Sequence, residues 1–262
     1  MHPNNHAGTL PLSVAIITLN EADNLPRTLD SVRALASEIV VVDSGSQDET
    51  CSIAASYGAR VEFRAWTGHI DQKNHALDLC TQEWILALDA DEELTPQCAT
   101  SIRNAITSGR DVVWRINRRT FYLGKLLRYS WQPDRKLRLV RRASGAHWSG
   151  YDPHDKLVVA NTVMGDLAGD VIHYSYRDLQ DHMERSVRYA KISAASYARM
   201  GRRFSFARLL INPLIAFVKK YFLRRGCLDG WRGLLVACSA AWSVALKYWF
   251  LLELQRGGPD TD

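Results

Sequence analysis

Trp84-Ile-Leu-Ala-Leu-Asp-Ala-Asp-Glu-Glu93 is the stretch on which the reading of this chain turns. Its first five residues form a short, unbroken apolar run, the pattern of a strand buried on both faces. The run then passes directly into alternating carboxylates. Asp89 and Asp91 would therefore stand at the end of a buried strand, beside whatever crevice opens there. Hard oxygen ligands in that position suit Mg²⁺ or Mn²⁺ shared with substrate phosphates, because these ions keep only one or two protein carboxylates. Alone, an Asp-x-Asp is a weak motif. By itself it is more plainly an acidic lead-in to the helix beginning near Thr95.

Working outward, the same pattern recurs. Ser13-Val-Ala-Ile-Ile-Thr18, Glu38-Ile-Val-Val-Val-Asp43 and Arg60-Val-Glu-Phe-Arg64 read as strands. Helical spacing fills the gaps: Glu21 to Leu35, Asp48 to Tyr57 with Asp48 as N-cap, Asp71 to Cys80, and Thr95 to Thr107. Thr95 followed by Pro96 is a helix-start signature. Strands alternating with helices predict an α/β fold with a mostly parallel sheet. Ligands of such sheets bind off the carboxyl ends of the strands. Those ends carry Thr18-Leu-Asn-Glu21, Asp43-Ser-Gly-Ser46 and Asp89-Ala-Asp91.

Each cluster has two readings. Asp43 can accept a hydrogen bond from a base N–H, with Ser44 and Gly45 admitting a ligand to the backbone, or it can cap its own turn. Thr18, Asn20 and Glu21 can hold a ligand, or Glu21 can simply favour a helix N-terminus. Lys73 and Asn74 can place a cation near donor phosphates, or lie on a solvated helix face, which spacing alone favours.

The second half is less regular. Val112 to Ile116, Leu137 to Arg141 and Lys156 to Val159 read as strands, followed by helices over Asp178 to Met200, Phe204 to Phe222 and Trp231 to Leu254. The expected organisation is a flexible start over 1–12, a nucleotide-sugar half over 13–110, an acceptor half over 111–176, a helical region over 177–256 and a tail over 257–262. Arg135, Lys136, Arg138, Arg141 and Arg142 alternate along a strand-like stretch. Arg135, Arg138 and Trp131 are candidate acceptor contacts, with solvated charge as the plain alternative.

Composition sets the class. The 262 residues are 47% hydrophobic, which excludes a disordered chain. Five scattered cysteines without a Cys-x-x-Cys pair suggest neither a disulfide framework nor a zinc site. The first apolar run is too short for a signal sequence. The net charge of +5 is concentrated late: from Gly201 to Arg256, ten Lys or Arg face only Asp229 and Glu253. An anionic membrane surface is the expected partner of that segment, with no nucleic acid. Leu234 to Leu246 is an apolar run flanked by Arg and aromatics, which suits an interfacial helix better than a spanning one.

Val14 to Glu21, Val40 to Asp48 and Ile85 to Glu92 closely resemble the nucleotide-binding half of glycosyltransferase family 2, inverting enzymes of the GT-A fold. The nearer likeness is to the branch that builds lipopolysaccharide inner core. It continues, more weakly, through Arg135 to Arg142, His154-Asp155 and Ile172 to Tyr176. The resemblance implies that Thr18, Asn20, Glu21, Asp43 and Ser44 surround the base of the donor, a UDP-sugar being favoured. It implies Lys73 beside the nucleotide, Asp89 at the ribose, and Asp91 with His173 on a divalent metal, Mg²⁺ or Mn²⁺. Asp155 would be the general base, where the branch usually carries Glu. The implied acceptor is a lipid-linked glycan, met by a protein attached peripherally to the inner face of the cytoplasmic membrane.

Three other classes are weighed. A polyprenyl-phosphate glycosyltransferase fits the same features. A sugar-nucleotide-forming nucleotidyltransferase needs a Gly-rich basic loop after the first strand, where this chain has Leu19-Asn-Glu-Ala-Asp-Asn24. A non-catalytic sugar-nucleotide binding module is kept open by Asp155 in place of Glu.

Overall fold

The computed structural model describes residues 8–110, 112–150, 155–160 and 163–257. The chain divides into two compact units: Met1–Arg119 with Pro133–Tyr174, and Thr120–Gln132 with Ser175–Asp262.

In the first unit β1 (Leu10–Thr18), β2 (Ala36–Asp43), β3 (Arg60–Phe63) and β4 (Trp84–Asp89) alternate with α1 (Leu25–Val32), α2 (Thr50–Ser56) and α3 (His69–Asp78). These strands lie parallel in the order β3-β2-β1-β4. Both faces of β1 are covered. Val14 and Ile16 pack with Leu25 and Leu29 of α1, while Ala15 packs with Ala76 and Leu77 of α3. That is why the strand carries an unbroken apolar run. Register sets Thr18 beside Asp43 and Ile17 beside Asp89, so the three polar strand ends meet along one edge.

The chain continues with β5 (Glu92–Leu94), α4 (Pro96–Thr107), β6 (Val113–Tyr122), β7 (Lys125–Leu126), β8 (Arg135–Arg141), β9 (His147–Ser149), β10 (Lys156–Val158) and β11 (Met164–His173). Beyond β4 the sheet runs β8-β6-β11-β5, with β8 antiparallel to both β4 and β6, and β11 antiparallel to β5. Thr95 caps α4 by accepting a hydrogen bond from the Cys98 amide at 3.3 Å. The fold is thus α/β of the GT-A type, parallel where the donor half was expected and mixed beyond it. Gly169 (φ 86°) is required where β11 meets α4, since a Cβ there would lie 2.4 Å from the Cys98 amide nitrogen.

The second unit holds the β6–β7 hairpin end and α5 (Leu179–Arg199), α6 (Phe206–Val218), a π-helical turn (Lys219–Leu223) and α7 (Trp231–Gln255). Asp178 caps α5 through the Asp181 amide at 2.8 Å. Asp229, only 3% exposed, accepts three successive backbone amides, Arg128, Tyr129 and Ser130, at 2.9, 3.1 and 2.6 Å. One buried carboxylate thereby fixes the loop that carries Trp131.

Several boundaries move. Leu10–Leu12, expected to be flexible, open β1 and are paired through Leu10 to Ala36. The remaining termini of the expected flexible ends, 1–7 and 258–262, lie outside the described residues. Helix α1 begins at Leu25 rather than Glu21, because Glu21–Asn24 form a turn closed by the Leu25 amide on the Glu21 carbonyl (2.8 Å). Asp48 does not cap α2: its carboxylate accepts the Thr50 amide two residues on (3.0 Å) and the Ala22 amide (3.2 Å). Thr120–Gln132, expected in the acceptor half, belongs to the second unit.

Candidate active site

The Asp89-Ala-Asp91 turn links β4 to β5 and is braced from below. Ala90 is buried, and its carbonyl accepts a hydrogen bond from the Thr28 hydroxyl at 2.7 Å. Glu92, fully buried, folds back so that its carboxylate accepts the Asp89 amide at 3.0 Å. β5 then pairs with β11, His173 opposite Glu92. This pairing brings together two groups distant in sequence: His173 Nε2 lies 3.2 Å from Asp91 Oδ2, both side chains about one-fifth exposed. A carboxylate and an imidazole side by side at a strand end can both ligate a divalent ion. Among the described residues no group of three or more such ligands is found.

Asp89 faces a different network. Its Oδ2 accepts Arg138 at 3.1 Å and its Oδ1 accepts Lys73 at 3.0 Å. Burial alone would raise this carboxyl, but Lys73, Arg138 and Arg118 more than offset it and hold it well below the usual carboxylate range. Arg138 is 3% exposed and also donates to Glu92 at 2.6 Å and to the Ala87 carbonyl at 3.3 Å. Its proposed acceptor role is therefore corrected. Every contact it makes is internal, and it is a buried clamp on Asp89. The burial that works against its charge is outweighed by Glu92 and Asp89, which raise its pKa further. Arg135 is exposed and paired with Asp166, and Arg142 has left the strand for a 3₁₀ turn. Trp131 (φ 58°) lies in the second unit, where it packs edge-on to Tyr122 and against Tyr176 and His182.

Lys73 is the link that spacing alone did not disclose. Its ammonium bridges Asp89 and Asp155 at 3.0 and 2.9 Å and lies 4.3 Å from the centre of the Trp148 ring. Burial depresses its pKa, but the two carboxylates prevail and raise it. Its neighbours are equally committed. Gln72, fully buried, donates to Ser44 at 2.9 Å and to the Arg64 carbonyl at 2.8 Å. Asn74 exchanges two hydrogen bonds with the backbone of Trp148, at 2.7 and 3.0 Å. Three consecutive residues of α3 thus tie the ends of β2, β3 and β4 to β9 and to Asp155. The solvated-face reading of Lys73 and Asn74 is overturned. Gln72, Trp148, Glu92 and Arg118 had no sequence signal of their own, because their partners are far away along the chain. His154 lies outside the described residues.

At the ends of β1 and β2, Asp43 is 2% exposed and each of its oxygens takes two hydrogen bonds. Oδ1 accepts the Gly45 and Ser46 amides at 2.9 and 2.8 Å; Oδ2 accepts the Thr18 and Ser46 hydroxyls at 2.9 and 2.5 Å. Burial pushes this carboxyl up, but the hydrogen bonds win and lower it. The turn-capping alternative therefore describes its contacts. Asn20, at φ 54°, accepts the Gln47 amide and donates its own amide to Ser46, both at 2.8 Å. Glu21 donates its amide to Thr50 and accepts from Asn24 on its carboxylate, at 2.8 and 2.9 Å. Asp43, Asn20 and Ser46 together build a rigid loop at the strand ends.

The glycosyl transferase family 2 profile matches residues 13–209. The lipopolysaccharide core biosynthesis glycosyltransferase LpsC of Rhizobium meliloti is 31% identical over 224 residues, 81% of each chain. An uncharacterized glycosyltransferase of Rickettsia typhi is 30% identical over 254 residues, covering 93% of this chain and 87% of its own. Among solved structures, S. aureus TarS 1-349 in complex with UDP-GlcNAc superposes with a TM-score of 0.48 at 13% identity, covering 95% of this chain and 92% of that one.

Proposed function

The chain belongs to glycosyltransferase family 2, and from that premise we propose that it moves a sugar, with inversion, from a nucleoside diphosphate to a lipid-linked glycan of the lipopolysaccharide-core kind. UDP is the favoured nucleotide, and the inner face of the cytoplasmic membrane is the favoured place. The observation that carries the reading is the Lys73 bridge, one ammonium holding a donor-side carboxylate and a second carboxylate free to act on the acceptor.

The chemistry is a single in-line displacement. An acceptor hydroxyl oxygen attacks the anomeric carbon as the bond from that carbon to the diphosphate oxygen breaks. Asp155 takes the hydroxyl proton, a role within reach of a carboxylate whose other oxygen is anchored by Lys73. Asp89, fixed by Lys73 and Arg138, would accept from the ribose hydroxyls. The loop of Thr18, Asn20, Glu21, Asp43 and Ser44 would shape the base pocket through its backbone as much as its side chains. Asp91 and His173 would hold Mg²⁺ or Mn²⁺, which when bound would neutralise charge on the departing diphosphate. Arg135 and Trp131 remain acceptor-side proposals. The basic C-terminal segment and exposed apolar helices favour a membrane-borne acceptor.

A donor screen tests this reading. UDP-, GDP-, ADP- and CMP-sugars are titrated with Mn²⁺ or Mg²⁺, and nucleotide release is followed with core glycolipid acceptors. UDP release that needs both metal and acceptor is expected. Asp91→Asn should abolish it in a protein that still folds. Unchanged turnover removes the metal assignment, and no release with any donor removes the transferase reading.

A further inference from the structure

α6 is built inside out. Phe206, Leu210, Ile211, Leu214, Ile215 and Val218 are all between 46% and 68% exposed. At about 100° per residue these six fall on one half of the helix circumference. The opposite half carries Leu209, which is buried, and Asn212, whose amide donates to the Tyr248 hydroxyl of α7 at 2.5 Å. An ordinary surface helix turns its apolar stripe inward and its amides outward. Here the amide is inside and the outer half is aliphatic. The π-helical turn extends the surface with Phe222 (57% exposed) and Leu223 (74%). A contiguous apolar surface of this kind marks an interaction site.

Charge selects the occupant. The exposed apolar face is followed by exposed Lys219, Arg224 and Arg225, preceded by exposed Arg202 and Arg203, and edged by Arg208. Lys220 between them is pushed below its ordinary pKa by burial and by Arg224 and Lys219, so a nearby anion would relieve it. A second copy of this chain would bring the same cations together. A bilayer with acidic head groups supplies both phases at once, hydrocarbon for the aliphatic face and phosphate for its rim.

α7 is the other contender, being the one described helix long and apolar enough to cross a membrane. It is packed against the bundle along one side, while Leu234, Trp242, Trp249 and Leu254 stay 42–53% exposed. Val236, Ala237, Tyr248 and Leu251 are buried, and Tyr248 and Leu251 share a cluster with Ala194 of α5 and Leu209 of α6. The side of α7 turned to α5 and α6 is therefore taken, whereas the aliphatic half of α6 stays exposed.

We infer that α6 is the membrane-contact surface of this protein, lying in the plane of an anionic leaflet with Leu210, Leu214 and Ile215 in the acyl boundary and the flanking Arg and Lys among the phosphates. The inference rests on the proposed membrane-side reaction in naming a bilayer as partner, and its test is independent of turnover. Full-length protein is floated with phosphatidylglycerol/phosphatidylethanolamine vesicles and with phosphatidylcholine vesicles. Binding to the anionic vesicles is expected, weakening with salt. Combining Leu210→Gln, Leu214→Gln and Ile215→Gln should lower partitioning about ten-fold or more, while circular dichroism and the thermal midpoint stay unchanged because these side chains are exposed. Asp91→Asn should float like the parent protein, which separates a failure of this surface from a failure of the chemistry. The inference is overturned if the triple variant floats like the parent, or if alkaline carbonate fails to extract parent and variant alike, as a spanning α7 requires. Lipid-free dimerisation lost in the triple variant, with no vesicle binding by the parent, overturns it too.

Discussion

Replacing Lys73 with methionine tests the centre of the site. Met keeps the length and apolar stem of the side chain beside Trp148 and removes only the ammonium. Two charge-assisted hydrogen bonds disappear, to Asp89 at 3.0 Å and Asp155 at 2.9 Å. Such bonds contribute about 1.5–3 kcal/mol each. Both carboxylates keep some solvent, 24% and 12% of their side-chain surface, and Asp89 keeps Arg138. The combined loss should therefore sit near the lower end, about 3 kcal/mol in urea unfolding. Its pH dependence is specific. Lys73 is raised above its ordinary 10.5, so its share is complete below 10.5 and is lost as pH climbs through the folded value. Asp89 is depressed below its ordinary 3.8, so its share is complete above 3.8 and is lost as pH falls through the folded value. The gap between parent and Lys73→Met should then be flat from about pH 5 to 9 and close on either side. In steady-state assays kcat should drop about 10–100-fold, since Asp155 loses its anchor, with a smaller rise in donor KM. A variant with parental unfolding midpoint and parental kcat refutes the bridge. A gap that halves between pH 6 and 8 refutes the assignment of the groups.

Two further substitutions separate the roles of neighbouring residues. Asp155→Asn should leave calorimetric binding of the nucleotide-sugar intact and remove transfer; transfer at the parental rate would place the base elsewhere. Arg138→Met should lower the unfolding free energy by about 3–5 kcal/mol by leaving Asp89 and Glu92 facing each other in a buried site. Adding Glu92→Gln should recover part of that loss, and a double variant less stable than the single would show that Arg138 is not the clamp on this pair.

The parallel half of the sheet was legible because its strands announce themselves. Val14–Ile17 and Val40–Val42 must be apolar on both sides to lie between two helical layers, so a polar residue at the end of the run can only be an edge or a site. β11 gives no such notice. Met164-Gly-Asp-Leu-Ala-Gly-Asp-Val-Ile-His173 alternates and carries two glycines, and it is a strand because Leu167 and Val171 join the core cluster that contains Cys98 and Ile102 of α4. Without β11 the three residues of β5 have no reason to be extended, and His173 has no reason to meet Asp91. Arg138 was misread for a related cause. Among five basic residues in a row of eight, nothing local distinguishes the one whose partners, Asp89 and Glu92, sit on β4 and β5.

The groups of the site are joined through α3. Gln72, Lys73 and Asn74 are adjacent on a helix, yet successive side chains there project about 100° apart and cannot serve one surface. They serve three: Gln72 the β2 and β3 ends, Lys73 the two carboxylates, Asn74 the Trp148 backbone. A helix face read by period alone sees one half-polar turn. The tertiary structure makes that turn the joint between Asp89, Asp155 and the Trp148 backbone within one unit. A change in α3 should then disturb donor binding and transfer together, whereas a change at Asp155 should disturb transfer alone. That division of effects is what distinguishes a joint from a ligand, and it follows from where the three side chains end.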